Sequence, residues 1–222
     1  MAQFNKIQVL EAMQTTGLTP VFYHSDPATA ESIVQACYIA GVRVFEFTNR
    51  GEMAHETFAQ LLKSVRTSCP KMILGAGSIV DTATAALYIQ SGANFIVSPA
   101  FNPDIAKTCN RRLVPYIAGC GTVTEISAAQ EAGCDICKIF PADSVGGTSF
   151  VRSILAPMPW TMIMATGAVE PTEESLSEWF RAGVTCVGMG SKLLAVASVK
   201  SGYSETITSL CNKVLSIIKK YK

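Results

Sequence analysis

Two signals that predict the fold occur together in one stretch, Gly133-Cys134-Asp135-Ile136-Cys137-Lys138-Ile139-Phe140-Pro141-Ala142. A glycine after a helical segment is a common helix end, and an apolar run of strand length follows it directly. Lys138 stands in the middle of that run. Burying an ammonium group is costly unless the group is paired or gives up its charge. Lys138 is therefore either an ion-pair partner or a reactive amine.

The junction of a small residue, a glycine and a new strand recurs along the chain. It is found at Ala40-Gly41, Ser91-Gly92, Ala132-Gly133 and Ala182-Gly183. Strands are predicted at residues 19–23, 42–48, 72–76, 94–98, 113–118, 135–139, 161–165 and 184–188, with helical segments between them. This alternation predicts an α/β fold, a (β/α)8 TIM barrel formed by a single domain over residues 1–222. The alternative, an open doubly wound sheet, would need a glycine-rich turn after the first strand, where the chain has Tyr23-His24-Ser25.

Several helix boundaries are also predicted. A short N-terminal helix is expected over residues 3–15, with Ile7, Leu10 and Met13 on its apolar face. Asp26, Asp81 and Thr122 have the character of helix N-caps, and Thr122 with Glu125 fits a capping box. The last helices are predicted over residues 190–198 and 204–220.

The composition disfavours several classes of function. The chain has 222 residues, of which 49% are hydrophobic and 16% charged, and its net charge is +1. Such a composition is typical of a globular protein with a sizeable core. No basic patch indicates nucleic-acid binding, and no apolar run approaches the roughly 20 residues of a membrane span. The first residues lack the pattern of a signal peptide, so we expect no membrane association and a cytoplasmic location.

The eight cysteines are scattered and are expected to be free and buried. Cys134 and Cys137 form a C-x-x-C pair. A thioredoxin-like pair opens a helix after a strand, whereas this pair enters a strand. A structural zinc ion would need four ligands, and the chain has no second pair and two histidines. A redox or metal role for the pair is therefore not favoured.

Polar residues and glycines concentrate at the predicted carboxyl ends of the strands, where the active site of such a barrel lies. Because side chains alternate along a strand, Ile136 and Phe140 point inward if Lys138 does, while Cys137 and Ile139 face the helices. Glu46 occupies a matching position on the second strand. Even-numbered strands share layers, so Glu46 and Lys138 could face each other across the barrel. The pattern leaves open whether they form a buried ion pair or an acid and an amine in an active site.

Glycine-containing turns follow the last two predicted strands, at Thr166-Gly167-Ala168 and Gly188-Met189-Gly190-Ser191. These loops commonly bind phosphate in this fold, and we favour that function over simple tight turns. An amine, a facing carboxylate, an arginine and a phosphate site together indicate Schiff-base chemistry on a phosphorylated keto acid. In that chemistry Arg50 could hold a carboxylate through its fork geometry.

The chain resembles the 2-keto-3-deoxy-6-phosphogluconate (KDPG) aldolase family, class I aldolases that include 4-hydroxy-2-oxoglutarate (KHG) aldolases. Matching stretches follow the family order over nearly the whole chain. They are Gly41-Val42-Arg43-Val44-Phe45-Glu46-Phe47-Thr48-Asn49-Arg50, Gly75-Ala76-Gly77-Ser78, Ser98-Pro99, Cys137-Lys138-Ile139-Phe140-Pro141-Ala142 with Gly146-Gly147, Thr166-Gly167 and Gly190-Ser191.

The resemblance implies roles for particular residues. Lys138 would form the imine, and Glu46 would be the general acid and base. Substrate-binding residues would be Arg50 and Ser78 at the carboxylate, Pro99 and Phe140 beside the pyruvyl group, Thr166 near the hydroxyls, and Gly167, Ala168, Gly190 and Ser191 at the phosphate. The resemblance also implies a homotrimer, a small keto acid as ligand, and no metal or other cofactor.

The chain departs from the family pattern at two site positions. Ser78 stands where threonine is usual, and Ala168 stands where a second glycine is often found, so the substrate is left open. Alternatives to an aldolase are a phosphosugar isomerase or epimerase on the same barrel and a non-catalytic protein that binds a phosphorylated ligand. His24, after the first strand, is expected to be a solvated loop residue.

Overall fold

The computed structural model describes residues 2–194 and 203–222. Within them, eight strands form a closed barrel in chain order, and each pairs in parallel with its neighbours. The strands are β1 Leu18–Phe22, β2 Val44–Thr48, β3 Ile73–Gly77, β4 Ile96–Val97, β5 Tyr116–Cys120, β6 Ile136–Ile139, β7 Met162–Thr166 and β8 Cys186–Met189. The predicted (β/α)8 TIM barrel is confirmed.

Helices alternate with these strands along the described chain. They are α1 Lys6–Thr16, α2 Pro27–Ile39, α3 Ala54–Ser68, α4 Thr82–Ser91, α5 Pro103–Asn110, α6 Val123–Glu131, α7 Gly147–Leu155, α8 Glu173–Ala182, α9 Ser191–Leu194 and α10 Tyr203–Tyr221. None of the helices described here is both long and apolar enough to cross a bilayer. The part of the predicted helix over residues 195–198 lies outside the described residues.

The four recurring glycine junctions end their helices in the same way. Gly41, Gly92, Gly133 and Gly183 all have φ between 89° and 105°. In each case the glycine N–H and the next N–H donate to carbonyls of the preceding turn, as Gly41 does to Tyr38 and Val42 does to Cys37. This double hydrogen bond is the Schellman motif, which turns the chain sharply from helix into strand. The sequence prediction is confirmed at all four positions.

The first helix closes the amino-terminal end of the barrel, but not with the face predicted. Val9 and Met13 are fully buried among the inward side chains of the strands. Ile7, predicted on the buried face, is 75% exposed. The prediction assumed an apolar face along the whole helix. The helix covers the round opening of the barrel with two residues four apart in the sequence, so the other apolar residues need not be buried.

The observed strand ends differ from the predicted ones by one or two residues at most strands, and by more at the fourth and fifth. The fourth strand shortens to Ile96–Val97, and the fifth moves toward its carboxyl end, to Tyr116–Cys120. Leu113 was placed in the fifth strand, yet it has φ 52° and is 73% exposed. Because Pro115 cannot donate a ladder hydrogen bond, pairing begins after it.

Inward and outward side chains of the strands pack into two separate clusters. Ile136, Val97 and Met164 lie inside the barrel, whereas Cys137 and Ile139 pack between the barrel and the helices. The predicted alternation along the sixth strand is therefore confirmed, and Lys138 lies on the inward face between Ile136 and Phe140.

Asp81 provides a test of the helix caps. Its carboxylate accepts hydrogen bonds from the Thr84 N–H at 2.8 Å and from the Thr84 hydroxyl at 2.7 Å, and these bonds hold its pKa below the ordinary value. We expect Asp81→Ala to lower the free energy of unfolding by about 1 kcal/mol at neutral pH. Because the pKa is lower in the folded chain, this stabilisation is present above the ordinary carboxyl pKa and is lost as the pH falls through the folded-state value. Urea denaturation of the wild-type and Asp81→Ala proteins measures the difference in free energy of unfolding. If that difference were as large in acid as at neutral pH, the assignment of the cap would be contradicted.

Candidate active site

The strand register places Lys138 and Glu46 on opposite walls of the barrel at the same height. The residue pairs between neighbouring strands can be followed from Lys138 round the barrel in either direction. Through β5, β4 and β3 they lead to residue 50, just after β2. Through β7, β8 and β1 they lead to residue 42, just before β2. The offset between the two routes is the shear of eight expected of this fold. The position midway between residues 42 and 50 lies level with Lys138, and it is Glu46.

Both charged residues are enclosed, and neither has a charged partner in the part of the chain that the structure describes. Glu46 is 1% exposed and Lys138 is 5% exposed. No ion pair within the described residues includes either of them, and Glu46 Oε2 has no hydrogen-bond partner there. Lys138 Nζ lies 4.8 Å from the centroid of the Phe140 ring, which gives it a cation–π contact when protonated. The ion-pair interpretation is therefore not borne out within the described residues, which hold the acid and the amine apart on opposite walls of the barrel.

Two strand glycines make room for this arrangement. A Cβ atom at Gly77 would overlap with the Glu46 carboxylate, which leans over the end of β3. A Cβ atom at Gly119 would overlap with the backbone of Pro99. Gly119 pairs with Lys138, so the loop after β4 is brought close to the lysine.

The loop that carries Pro99 is held by side chains of buried residues. The Ser98 hydroxyl donates to the Ala100 carbonyl at 2.6 Å and lies 2.6 Å from the Tyr116 hydroxyl. Burial raises the pKa of Tyr116 to about 12, so the phenol stays protonated and available for these bonds. Pro99 itself is exposed at the mouth of the barrel.

Arg50 and Ser78 lie together at the ends of β2 and β3. The Arg50 Nε–H donates to the Ser78 hydroxyl at 3.3 Å, and the neighbouring Asn49 N–H donates to the Gly77 carbonyl at 2.8 Å. Arg50 is exposed, and Ser78 has φ 59°. The left-handed conformation costs a serine about 1 kcal/mol, and it turns the chain so that the hydroxyl meets the guanidinium.

A cavity of about 470 Å³ opens at the carboxyl ends of β7, β8, β1 and β2. Seven of the predicted site residues line it, namely Arg50, Phe140, Thr166, Gly167, Ala168, Gly190 and Ser191. Thr166 is buried, and its hydroxyl has no partner among the described residues. Ala168 has φ 55°, so a strained alanine occupies the turn where the family often has glycine.

Some lining residues were missed by sequence reasoning. Val21, Tyr23 and Lys192 contribute to the cavity, and Lys192 Nζ is paired with Glu170 Oε1 at 2.8 Å. The position of Tyr23 at the carboxyl end of the first strand was the available signal, but the residue was treated only as part of that strand. His24, expected to be solvated, is half-buried, with its ring stacked on Phe22.

The eight cysteines lie in the interior of the protein and form no disulfide. All eight are free and buried, as predicted. Burial raises the pKa of Cys134 to about 12, so this member of the C-x-x-C pair is held as the thiol, which is neither the nucleophile nor the metal ligand. No group of three or more His, Cys, Asp or Glu within residues 2–194 and 203–222 is placed to hold a metal ion.

The protein is a (β/α)8 barrel with a buried lysine on its sixth strand and a buried glutamate on the opposite wall. The KDPG and KHG aldolase family model matches residues 9–210 of the chain. The chain belongs to this family, whose curated members are named aldolases and are therefore lyases.

Individual relatives agree with this assignment. The 2-dehydro-3-deoxy-phosphogluconate aldolase of Treponema pallidum is 29% identical over 212 residues, which cover 96% of this chain and 98% of that protein. The KHG/KDPG aldolase of Escherichia coli K12 is 29% identical over 206 residues, covering 92% and 94%. The solved KDPG aldolase of Legionella pneumophila, with pyruvate captured as a covalent carbinolamine, superposes with a TM-score of 0.83 over 92% of this chain and 97% of that chain. At 23% identity, that last likeness is evidence of the shared fold.

The packing of Glu46 on Gly77 predicts an unequal response to added methyl groups. We expect Gly77→Ala to lower the free energy of unfolding by about 1–3 kcal/mol, because the methyl overlaps with the carboxylate. The control is Gly121→Ala, where a Cβ would make ordinary contacts at 3.4 Å and 3.7 Å, and its effect should stay within about 0.5 kcal/mol. Chemical denaturation compares the two, and equal losses would show that Glu46 is free to move aside.

Proposed function

We propose that the protein is a class I aldolase that cleaves KDPG, or a closely related 4-hydroxy-2-oxo acid, to pyruvate and an aldehyde such as glyceraldehyde 3-phosphate or glyoxylate. The observation that carries the proposal is that Lys138 and Glu46 are both buried, lie level with each other, and have no ion-pair partner in the part of the chain that the structure describes. A structural ion pair would bring such groups together, whereas a catalytic pair must leave space for the substrate between them.

The chemistry begins at Lys138. Its neutral amine attacks the C2 carbonyl of the keto acid, and loss of water gives an iminium ion. Glu46 accepts the proton of the C4 hydroxyl while the C3–C4 bond breaks, so the aldehyde leaves and the bonding electrons form an enamine. Return of a proton to C3 and hydrolysis of the imine release pyruvate and restore the free lysine. No metal ion or other cofactor enters these steps.

The remaining residues orient the substrate in this proposal. The Arg50 guanidinium and the Ser78 hydroxyl bind the carboxylate next to the reacting carbonyl. Phe140 and Pro99 enclose the pyruvyl group, and the unpartnered Thr166 hydroxyl receives a hydroxyl of the aldehyde half. The phosphate is bound by backbone N–H groups of the turns after β7 and β8, because these turns line the same cavity as Arg50. The residues are Gly167, Ala168, Gly190 and Ser191.

We also expect the chain to form a homotrimer and to work in the cytoplasm, in sugar-acid catabolism of the Entner–Doudoroff type. The trimer, the location and the pathway are supported by the resemblance to the aldolase family. Light scattering of the purified protein should give three chain masses.

Reductive trapping tests the proposed imine. With pyruvate and borohydride, one reduced pyruvyl group should be attached covalently, and peptide mass spectrometry should place it on Lys138. Lys138→Arg has a side chain of similar length that cannot form the imine under these conditions, so it should give no adduct and no cleavage. An adduct on a different lysine, or none in the wild-type protein, would refute the mechanism and favour a non-catalytic binder.

A panel of substrates tests the phosphate site. Hydrogen bonds to a charged group are worth about 1.5–3 kcal/mol, so we expect kcat/KM for KDPG to exceed that for 2-keto-3-deoxygluconate by at least about tenfold. Coupling pyruvate release to a dehydrogenase measures both rates. Equal rates would remove the phosphate assignment while leaving the aldolase mechanism intact.

A further inference from the structure

The loop between β2 and α3 carries Arg50, and we call residues 49–53 the arginine loop. The Arg50 side chain is exposed, and its hydrogen bond to Ser78 is long, at 3.3 Å. A flexible side chain held in this way depends on its backbone for its position. The contacts of the two neighbouring residues therefore determine where the guanidinium lies.

Asn49, on one side of Arg50, is tied to a helix far along the chain. The Tyr88 hydroxyl of α4 donates to Asn49 Oδ1 at 3.0 Å. Tyr88 is fully buried, and burial, with a smaller contribution from the nearby Tyr23 hydroxyl, raises its pKa to about 12. The phenol therefore remains protonated across the physiological range and is a permanent donor to the loop.

Gly51, on the other side of Arg50, rests on a second tyrosine. A Cβ atom at residue 51 would overlap with the Tyr23 hydroxyl, so the loop packs directly on that ring. Tyr23 packs edge-on against Phe47, at 5.5 Å between ring centroids.

The two tyrosines belong to one aromatic cluster. Phe47 contacts Phe58 at 5.8 Å, and Phe58 contacts Tyr88 edge-on at 5.1 Å. Four rings, one directly after β1 and the others on β2, α3 and α4, thus form a rigid base, and its two polar tips meet the loop on either side of Arg50.

We propose that the Tyr88–Asn49 hydrogen bond, supported by the packing of Tyr23 against Gly51, positions Arg50 and so determines the affinity for the substrate carboxylate. Tyr88 and Asn49 are positioning residues that act through Arg50. The proposal rests on the proposed function, since it assumes that Arg50 binds the carboxylate of a keto acid.

Tyr88→Phe removes the hydroxyl and keeps the buried ring. Loss of one hydrogen bond should raise KM for KDPG about fivefold to tenfold, while kcat stays within about twofold because Lys138 and Glu46 are untouched. Asn49→Ala removes the acceptor and should give the same rise, and the double variant should be no worse than either single one. Tyr38→Phe, which alters a tyrosine on α2 stacked on Arg43, is the control and should change neither constant.

A cycle with Arg50→Ala tests whether Tyr88 acts through the arginine. In the Arg50→Ala protein, Tyr88→Phe should change KM by less than about twofold, since no guanidinium is left to position. The same fivefold to tenfold rise in that background would overturn the proposal, as would an unchanged KM in Tyr88→Phe alone. A fall in kcat with KM unchanged would indicate general loosening of the barrel and would also overturn it.

Borohydride trapping of pyruvate on the wild-type protein separates this proposal from the proposed function. An adduct at Lys138 together with an unchanged KM in Tyr88→Phe would refute only the positioning role. Absence of the adduct would refute both.

Discussion

Burying a lysine in a protein interior lowers stability unless a carboxylate lies beside it, so a buried lysine without such a partner indicates a functional site. Lys138 has 5% of its surface exposed and no ion-pair partner among the described residues. The acid that could neutralise it, Glu46, is held on the opposite wall of the barrel. The rest of the site keeps these two groups enclosed and apart.

The separation follows from the geometry of the barrel. A shear of eight places residues 46 and 138 level on opposite strands, and inward alternation turns both side chains to the axis. Gly77 lets the Glu46 carboxylate lean over β3, and Gly119 lets the loop with Pro99 approach Lys138. The polar groups at the mouth, from Arg50 to Ser191, then surround a cavity of about 470 Å³.

Local patterns in the sequence were sufficient to predict much of this. The four glycine junctions gave the helix ends because a Schellman turn requires only neighbouring residues. Alternation gave the neighbours that share a face with Lys138, namely Ile136 and Phe140. Features that depend on three-dimensional fit could not be predicted in this way. The buried face of α1 depends on the shape of the barrel opening, and the Tyr88–Asn49 bond joins residues 39 apart in the chain. Ala168 departs from the family pattern, but its left-handed backbone, with φ 55°, was visible only in the structure.

The central claim is that Lys138 and Glu46 act on one substrate from opposite sides, the first as an imine and the second as an acid and base. Exchange of the methyl protons of pyruvate for deuterium, followed by NMR in D₂O, tests both functions together, because exchange requires imine formation and then removal of a proton. We predict rapid exchange with the wild-type protein, none with Lys138→Arg, and at least about a hundredfold slower exchange with Glu46→Gln, although this variant still forms the imine. Exchange at the wild-type rate in either variant would contradict the account.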